Sequence, residues 1–144
     1  MMDHKVREAI CRAVESEPFA QVLKIDLLEL EQGYSLVEMT YRPEAMNNIY
    51  ARAHGGAIFA LIDEAFETVA QTDGTVAVAL NVNVTYISSP EPGTRLRGEA
   101  REISRTKKTA IYDIKVTDQD GRLMATAQAL AYRTGKPIPF LHKN

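Results

Sequence analysis

The sequence has little of what an extracellular or metal-binding protein uses. Only one of its 144 residues is a cysteine, Cys11, so no disulfide can form within the chain. Its three histidines are scattered, and none has metal-ligand spacing to the others or to the cysteine. These shortages predict a cytoplasmic protein without a metal site.

Charge of one sign and long apolar runs are also missing. The chain carries 17 basic and 19 acidic residues, a formal net charge of −2, with no block of like charge, which disfavours nucleic acid as a partner. No apolar run approaches the ~18 residues that span a bilayer, and the charged beginning of the sequence predicts no secretory signal. A hydrophobic content of 45% is ordinary for a globular domain, so we expect a protein that neither enters membranes nor binds nucleic acid.

Hydrophobic periodicity predicts the elements of the first half of the chain. Residues 4–15 carry apolar side chains at helical spacing and end before a proline, and residues 19–23 add a short helical turn. Residues 25–31 and 34–41 predict two strands joined as a hairpin by a tight turn. Residues 42–52 are too polar and too punctuated for a helix or a strand.

The second half of the chain predicts one helix followed by four strands. Residues 55–71 form a helix whose first two turns are apolar all round, so we expect it to be buried. Alternating or β-rich segments predict strands at 76–86, 94–103, 109–118 and 123–133, followed by a tail at 134–144. Apolar residues alternate from Val76 to Tyr86, which predicts one buried face on the first of these strands.

This order of elements predicts an α+β domain. Sequential strands with short turns pair antiparallel, so the six strands form one antiparallel sheet curled around the central helix, with the N-terminal helix beside it. We expect a single domain over residues 1–144, with its core at about 5–133.

Asp63 is the most unusual residue of the predicted central helix. It interrupts an apolar run, where a carboxylate costs several kcal/mol unless it is hydrogen-bonded or reaches a solvated cleft. Carboxylates in such places often have perturbed pKa values and act as acids, bases or nucleophiles. The alternative is that Asp63 marks the solvent side of the helix or caps a neighbouring loop.

Gly55 and Gly56 stand where this helix begins. The first N–H groups of a helix are unpaired and carry the positive end of its dipole, so they can polarise a carbonyl group or hold an oxyanion. The alternative is that the glycines only allow close packing. Asp63 lies eight residues beyond Gly55, or ~12 Å along the axis. If both residues serve one reacting carbon, they come from two chains of a dimer.

The spacing of these residues carries a resemblance to a known family. His54-Gly55-Gly56 followed by Asp63, with Asn48 six residues before His54, resembles the hotdog-fold acyl-CoA thioesterases, in particular the phenylacetate-pathway (PaaI-like) branch. The segment from Asn83 to Ser88 is similar to the central strand of that family. The resemblance extends over about residues 5–133.

The resemblance implies hydrolysis of an acyl-CoA thioester to a free acid and coenzyme A. Coenzyme A is then part of the substrate, and no further cofactor is implied. Asp63 would activate water or attack the carbonyl directly, and the N–H of Gly55 from the other chain would polarise that carbonyl. Asn48 would lie near the thioester, and His54 would support the loop. The family also implies a homodimer or a dimer-of-dimers tetramer.

Two positions depart from the pattern of the family. Ile49 stands where some relatives have a glycine, and Ala79 stands where some have an accessory serine. We expect Gly56 and Ala79 to lie against the substrate. Coenzyme A phosphates need positive charge, for which Lys107 and Arg105 are the candidates.

Three alternatives stay open on the sequence alone. Another branch of the superfamily uses a glutamate on this helix, but Glu64 points ~100° away from Asp63, and the offset from His54 favours Asp63. A related hydratase is disfavoured because its signature contains Asn-Pro, which does not occur here. The alternative of a different class is a non-catalytic acyl-CoA sensor, which would bind the thioester without releasing thiol.

Overall fold

The computed structural model describes residues 1–142, which form four helices and six strands. The helices are α1 His4–Glu15, α2 Pro18–Leu23, α3 Pro43–Met46 and α4 Gly55–Val69. The strands are β1 Asp26–Glu31, β2 Tyr34–Thr40, β3 Thr75–Tyr86, β4 Arg95–Arg105, β5 Thr109–Thr117 and β6 Leu123–Pro137. The predicted α+β class is confirmed.

All six strands belong to one antiparallel sheet with the order β1-β2-β4-β5-β6-β3. The β1–β2 hairpin turns at Gly33, whose φ of 71° favours glycine. The chain leaves β2, forms α3, α4 and β3, and then returns to place β4 beside β2. As a result β3 lies at one edge of the sheet, and β1 lies at the other.

The central helix α4 packs across β2, β4 and β5. Leu61, Ile62 and Ala65 are fully buried in this layer. Gly98 in β4 permits the close approach, because a Cβ atom there would lie 3.3 Å from the carbonyl oxygen of Leu61. The apolar first turns of the helix are therefore explained by burial in the main core, as the sequence predicts.

A second, smaller core lies beneath the N-terminal helix. Asp3 caps α1 by accepting hydrogen bonds from the backbone N–H groups of Lys5 and Val6 at 2.8 and 3.1 Å. The buried face of α1 then packs with Leu30 of β1 and Ile138 beyond β6. None of the helices within residues 1–142 is long and apolar enough to cross a bilayer.

Two segments that were predicted to be irregular contain regular structure. Residues 43–46 form the short helix α3, although residues 42–52 were expected to be irregular; Pro43 at its first turn suits a helix start, since its missing N–H would be unpaired there. Strand β6 continues through Pro137 instead of ending at residue 133, because its last residues pair with the beginning of β3. The predicted tail is thus partly sheet, and residues 143 and 144 lie outside the described part.

The predicted buried face of β3 holds at Val82 and Val84 but is wrong at Val78 and Leu80. The register of β3 against β6 shifts between Ala79 and Asn81, which is a bulge. Ala77 packs against the core before the bulge, whereas Val82 and Val84 do so after it. The simple alternation in the sequence therefore switches sides, and Val78 and Leu80 are exposed on this edge strand.

Candidate active site

His54 organises the start of α4. It is the N-cap residue of the helix, and its Nδ1 accepts a hydrogen bond from the N–H of Gly56 at 2.8 Å. Its own N–H donates to the carbonyl group of Met46 at 2.7 Å, which fixes the preceding loop. The cap leaves no space at Gly56, where a Cβ atom would lie 2.9 Å from Nδ1 of His54. His54 was expected to support the loop, and the structure adds a second role as the helix cap.

We expect His54→Ala to lower the free energy of unfolding by about 1 kcal/mol, the usual cost of a lost N-cap. His54→Asn should restore most of this loss, because asparagine is a strong N-cap whose carbonyl oxygen can also accept the bond from Gly56. Urea unfolding of the two variants beside the wild type measures the difference. Equal stability of His54→Ala and the wild type would contradict the capping role.

Gly55 differs from Gly56 in having an unused N–H group. No acceptor within residues 1–142 bonds the Gly55 N–H, whereas the Gly56 N–H is taken up by His54. The phenol O–H of Tyr86 donates to the carbonyl oxygen of Gly55 at 3.1 Å, and its ring covers the side where a Cβ atom would lie. Gly55 thus offers one free donor at the positive end of α4.

Asp63 lies on the exposed side of α4 and lines a cavity of about 240 Å³. The cavity is lined by both α4 and the edge strand β3, including Phe66, Glu67, Ala77 and Ala79. Partial burial of its carboxyl group in this cavity, with a smaller effect of Glu17, raises the pKa of Asp63. A carboxylate with a raised pKa is a stronger base when it is ionised.

Gly55 faces a different cavity from Asp63. That cavity, of about 360 Å³, is lined by Gly55, Ile58, Tyr86 at the end of β3 and the segment that follows it. Asp63 and Gly55 are eight residues apart on one helix, ~12 Å along its axis. Within one chain, the base and the free N–H group therefore do not face a common reacting atom.

Asn48 organises the loop that leads into His54. Its Oδ1 accepts hydrogen bonds from the N–H groups of Tyr50 and Arg52 at 2.9 and 3.1 Å. These bonds close a tight loop whose tip exposes Ile49 and Tyr50 almost completely, at 90% and 77%. The side-chain N–H₂ group of Asn48 donates no hydrogen bond within residues 1–142, so it stays available to a ligand.

The two basic candidates have different surroundings. Arg105 pairs with Glu102 at 2.8 Å and with Asp73 at 3.5 Å, so its charge is shared with two carboxylates. Lys107 lies in the exposed turn between β4 and β5 and forms no ion pair with any residue in 1–142. Both residues remain predictions for phosphate binding, and the charge of Lys107 is the one not already paired with a carboxylate of the described residues.

Sequence reasoning missed two features around this helix. The contact of Tyr86 with Gly55 joins residues 31 apart in sequence, and no local pattern signals it. Glu17, Glu64 and Glu67 bring their carboxylates together, and they are the candidate metal ligands of the described residues. Burial, and then the contact with Glu17, raises the pKa of Glu64. The prediction of no metal site considered histidine and cysteine spacing alone.

Comparison with known proteins identifies the family. A family model described as the thioesterase superfamily matches residues 50–125, just over half of the chain. The chain belongs to the thioesterase superfamily. A relative from Archaeoglobus fulgidus is 33% identical over 125 residues, which cover 87% of this chain and 80% of that protein.

Two solved structures agree with this assignment. The Escherichia coli PaaI protein is 28% identical and superimposes with a TM-score of 0.89, covering 96% of this chain and 99% of that chain. A Streptococcus mutans protein bound to acetyl-CoA is 30% identical, with a TM-score of 0.74 over 79% of this chain and 91% of that chain. The predicted hotdog fold and the PaaI-like resemblance are confirmed, and the family supports thioester hydrolysis.

Proposed function

We propose that this chain hydrolyses acyl-CoA thioesters in sites that two copies of the chain build together. The observation that carries the proposal is the separation of two reactive groups along α4. A free N–H at Gly55 and a carboxylate at Asp63 lie on one helix but face separate cavities. Thioester hydrolysis needs both groups, and each cavity of one chain holds only one of them.

Asp63 acts on the nucleophile. In the simplest sequence its carboxylate takes a proton from water as the water oxygen attacks the thioester carbonyl. The tetrahedral intermediate then expels the thiolate of coenzyme A, which recovers a proton, and the free acid is the other product. Direct attack by Asp63 would instead break the C–S bond, expel the thiolate and form a mixed anhydride, which water cleaves to the free acid and the regenerated Asp63 carboxylate. Both sequences use the raised basicity of this carboxylate.

Gly55 of the other chain acts on the carbonyl oxygen. Negative charge develops on that oxygen as the tetrahedral intermediate forms, and a preorganised N–H group at a helix start stabilises it. Capping by His54 removes the neighbouring N–H of Gly56 from this role and holds the first turn in place. Asn48, with its unused N–H₂ group, is proposed to lie near the same thioester.

The edge strand β3 supports a dimer. It is 12 residues long and pairs on one side only, with β6. Val78 and Leu80 are 47% and 57% exposed on this strand. A long apolar edge is a hazard unless something covers it, and a second copy of β3 fits it by the symmetry of a two-fold dimer. Pairing there brings two α4 helices to one side of a continuous sheet. A dimer of such dimers remains a further expectation.

Coenzyme A is proposed as the carrier of the acyl group. The Escherichia coli relative carries the name acyl-coenzyme A thioesterase PaaI, and it spans 95% of this chain and 97% of its own length at 28% identity. Lys107 and Arg105 are the proposed partners of its phosphates, and Gly56 and Ala79 lie against the acyl and thioester parts. The proposed reaction uses no cofactor, and we place it in the cytoplasm.

Release of free thiol tests the proposal. The protein is incubated with a panel of aromatic, short-chain and medium-chain acyl-CoA esters, and the coenzyme A thiol is titrated with a chromogenic disulfide. We expect saturable release from at least one class, and the best substrate reports the size of the acyl pocket. Tight binding of these esters without thiol release would instead favour a non-catalytic acyl-CoA sensor.

A further inference from the structure

Three glutamates converge on the helix that carries the proposed catalytic residue. Glu17 is the N-cap residue of α2, and Glu64 and Glu67 lie one turn apart on α4. One carboxylate oxygen of each lies within 4.8 Å of the corresponding oxygens of the other two. Glu17 and Glu64 are 47 residues apart in sequence, so the fold creates the cluster rather than any local motif.

Glu64 is the buried member of this cluster, and one of its two carboxyl oxygens has no hydrogen-bond partner in the described part of the chain. Its relative exposure is only 4%. Its Oε1 is inaccessible to solvent and accepts no hydrogen bond from any residue in 1–142. None of the three glutamates forms an ion pair in that range either. A buried carboxyl oxygen without a partner is costly, so Oε1 favours a bound group that the surrounding residues do not supply.

Like charges so close together also need compensation. Three ionised carboxylates within this distance repel one another, and desolvation of Glu64 makes the repulsion stronger. A cation or extra protons can remove it. Glu67 is exposed and Glu17 is partly exposed, so the cluster is open to solvent on the side opposite Glu64. An ion could therefore enter and keep several water molecules.

We infer that Glu17, Glu64 and Glu67 form a binding site for a divalent cation that prefers oxygen ligands, of the kind of Ca²⁺ or Mn²⁺. Carboxylates are the ligands such ions select, and no nitrogen or sulfur ligand is in the cluster. Ca²⁺ binds oxygens at about 2.3–2.6 Å, so two of its ligands can lie up to ~5 Å apart. The observed spacing is within that limit, and the bound ion would link α2 to α4.

Binding of Mn²⁺ to the full-length protein, after treatment with a chelator, tests this site. Bound Mn²⁺ is measured by the loss of the free-ion signal in electron paramagnetic resonance, and Ca²⁺ is then added as a competitor. We expect about one Mn²⁺ per chain, displaced by Ca²⁺, and a rise in Tm that NaCl of equal ionic strength does not give. No substrate is involved, so the result is independent of the proposed thioesterase activity.

Matched amide variants identify the ligands. Glu64→Gln keeps the shape of the side chain and removes its charge, and it should weaken Mn²⁺ binding by at least ~10-fold. Glu17→Gln, at the partly exposed end, should weaken it as well and replaces Glu64→Gln if that variant does not fold. Glu44→Gln, whose side chain is 71% exposed outside the cluster, should bind as the wild type does. A wild type that takes up no more Mn²⁺ than Glu64→Gln would overturn the inference and leave protons as the compensation.

Discussion

Asp63→Asn will lower kcat for acyl-CoA hydrolysis by about 10²–10⁴-fold, the usual contribution of a positioned acid–base group. The amide keeps the shape of the side chain but can neither take a proton from water nor attack the carbonyl. Asp63 lies on the exposed side of α4, so its replacement leaves the buried core in place. Thiol release at saturating substrate, with circular dichroism of the same samples, measures the effect.

Asp113→Asn is the matched control for this variant. Asp113 is an exposed aspartate of β5, and the same exchange there should leave kcat and KM unchanged. Turnover by Asp63→Asn within a few-fold of the wild type would refute the assignment of the catalytic carboxylate. Loss of turnover in both variants would indicate a general effect of removed charge.

Gly55→Pro alone should also lower kcat strongly relative to the wild type, because it deletes the free N–H group. Gly55 is the first residue of α4, where proline is well tolerated since that N–H has no partner in the helix. The preceding residue, His54, already has φ of −67° and ψ of 132°, which suit a residue before proline. We expect kcat to fall by about 10²–10³-fold, the range for loss of one oxyanion donor.

Gly55→Ala is the control that separates sterics from the donor. Both variants add a Cβ atom, which would lie 3.1 Å from Cζ of Tyr86, so both disturb that ring. Only proline also removes the N–H. We therefore expect kcat of Gly55→Pro to be lower than kcat of Gly55→Ala, while the two variants have similar Tm values. Equal kcat in Gly55→Pro and Gly55→Ala would exclude this N–H as the oxyanion donor.

Most of the fold was predictable because its elements have strong local patterns. The apolar run of α4 indicated a buried central helix, and the β1–β2 hairpin followed from two strands around Gly33. The errors arose where distant pairing decides the structure. The last residues of β6 are polar and contain a glycine, and they form a strand only because the beginning of β3 pairs with them. The bulge after Ala79 likewise depends on β6.

The candidate site residues can be proposed from the sequence, whereas several of their contacts cannot. The offsets among Asn48, His54 and Asp63 can be read along the chain, and so can the distance that separates Asp63 from Gly55. The hydrogen bond of Tyr86 to Gly55 and the approach of Glu17 to α4 depend on tertiary packing. The residues in these contacts are too far apart in sequence for hydrophobic periodicity to predict them, so only the structure shows the contacts.

The central claim is that each site takes Asp63 from one chain and Gly55 from its partner. Subunit complementation tests it most directly, with Asp63→Asn and Gly55→Pro chains carrying different tags. The two variants are co-expressed, and the mixed dimer is purified through both tags. In that dimer one site combines both substitutions, whereas the other combines an intact Asp63 with an intact Gly55.

The account predicts that the mixed dimer recovers about half of the wild-type kcat per dimer, although each parent variant is nearly inactive, because one of its two equivalent sites is restored. The acyl-CoA ester that the wild type cleaves best serves as substrate. A mixed dimer that forms but releases thiol no faster than the average of its two parents would contradict the shared site and place both groups within one chain.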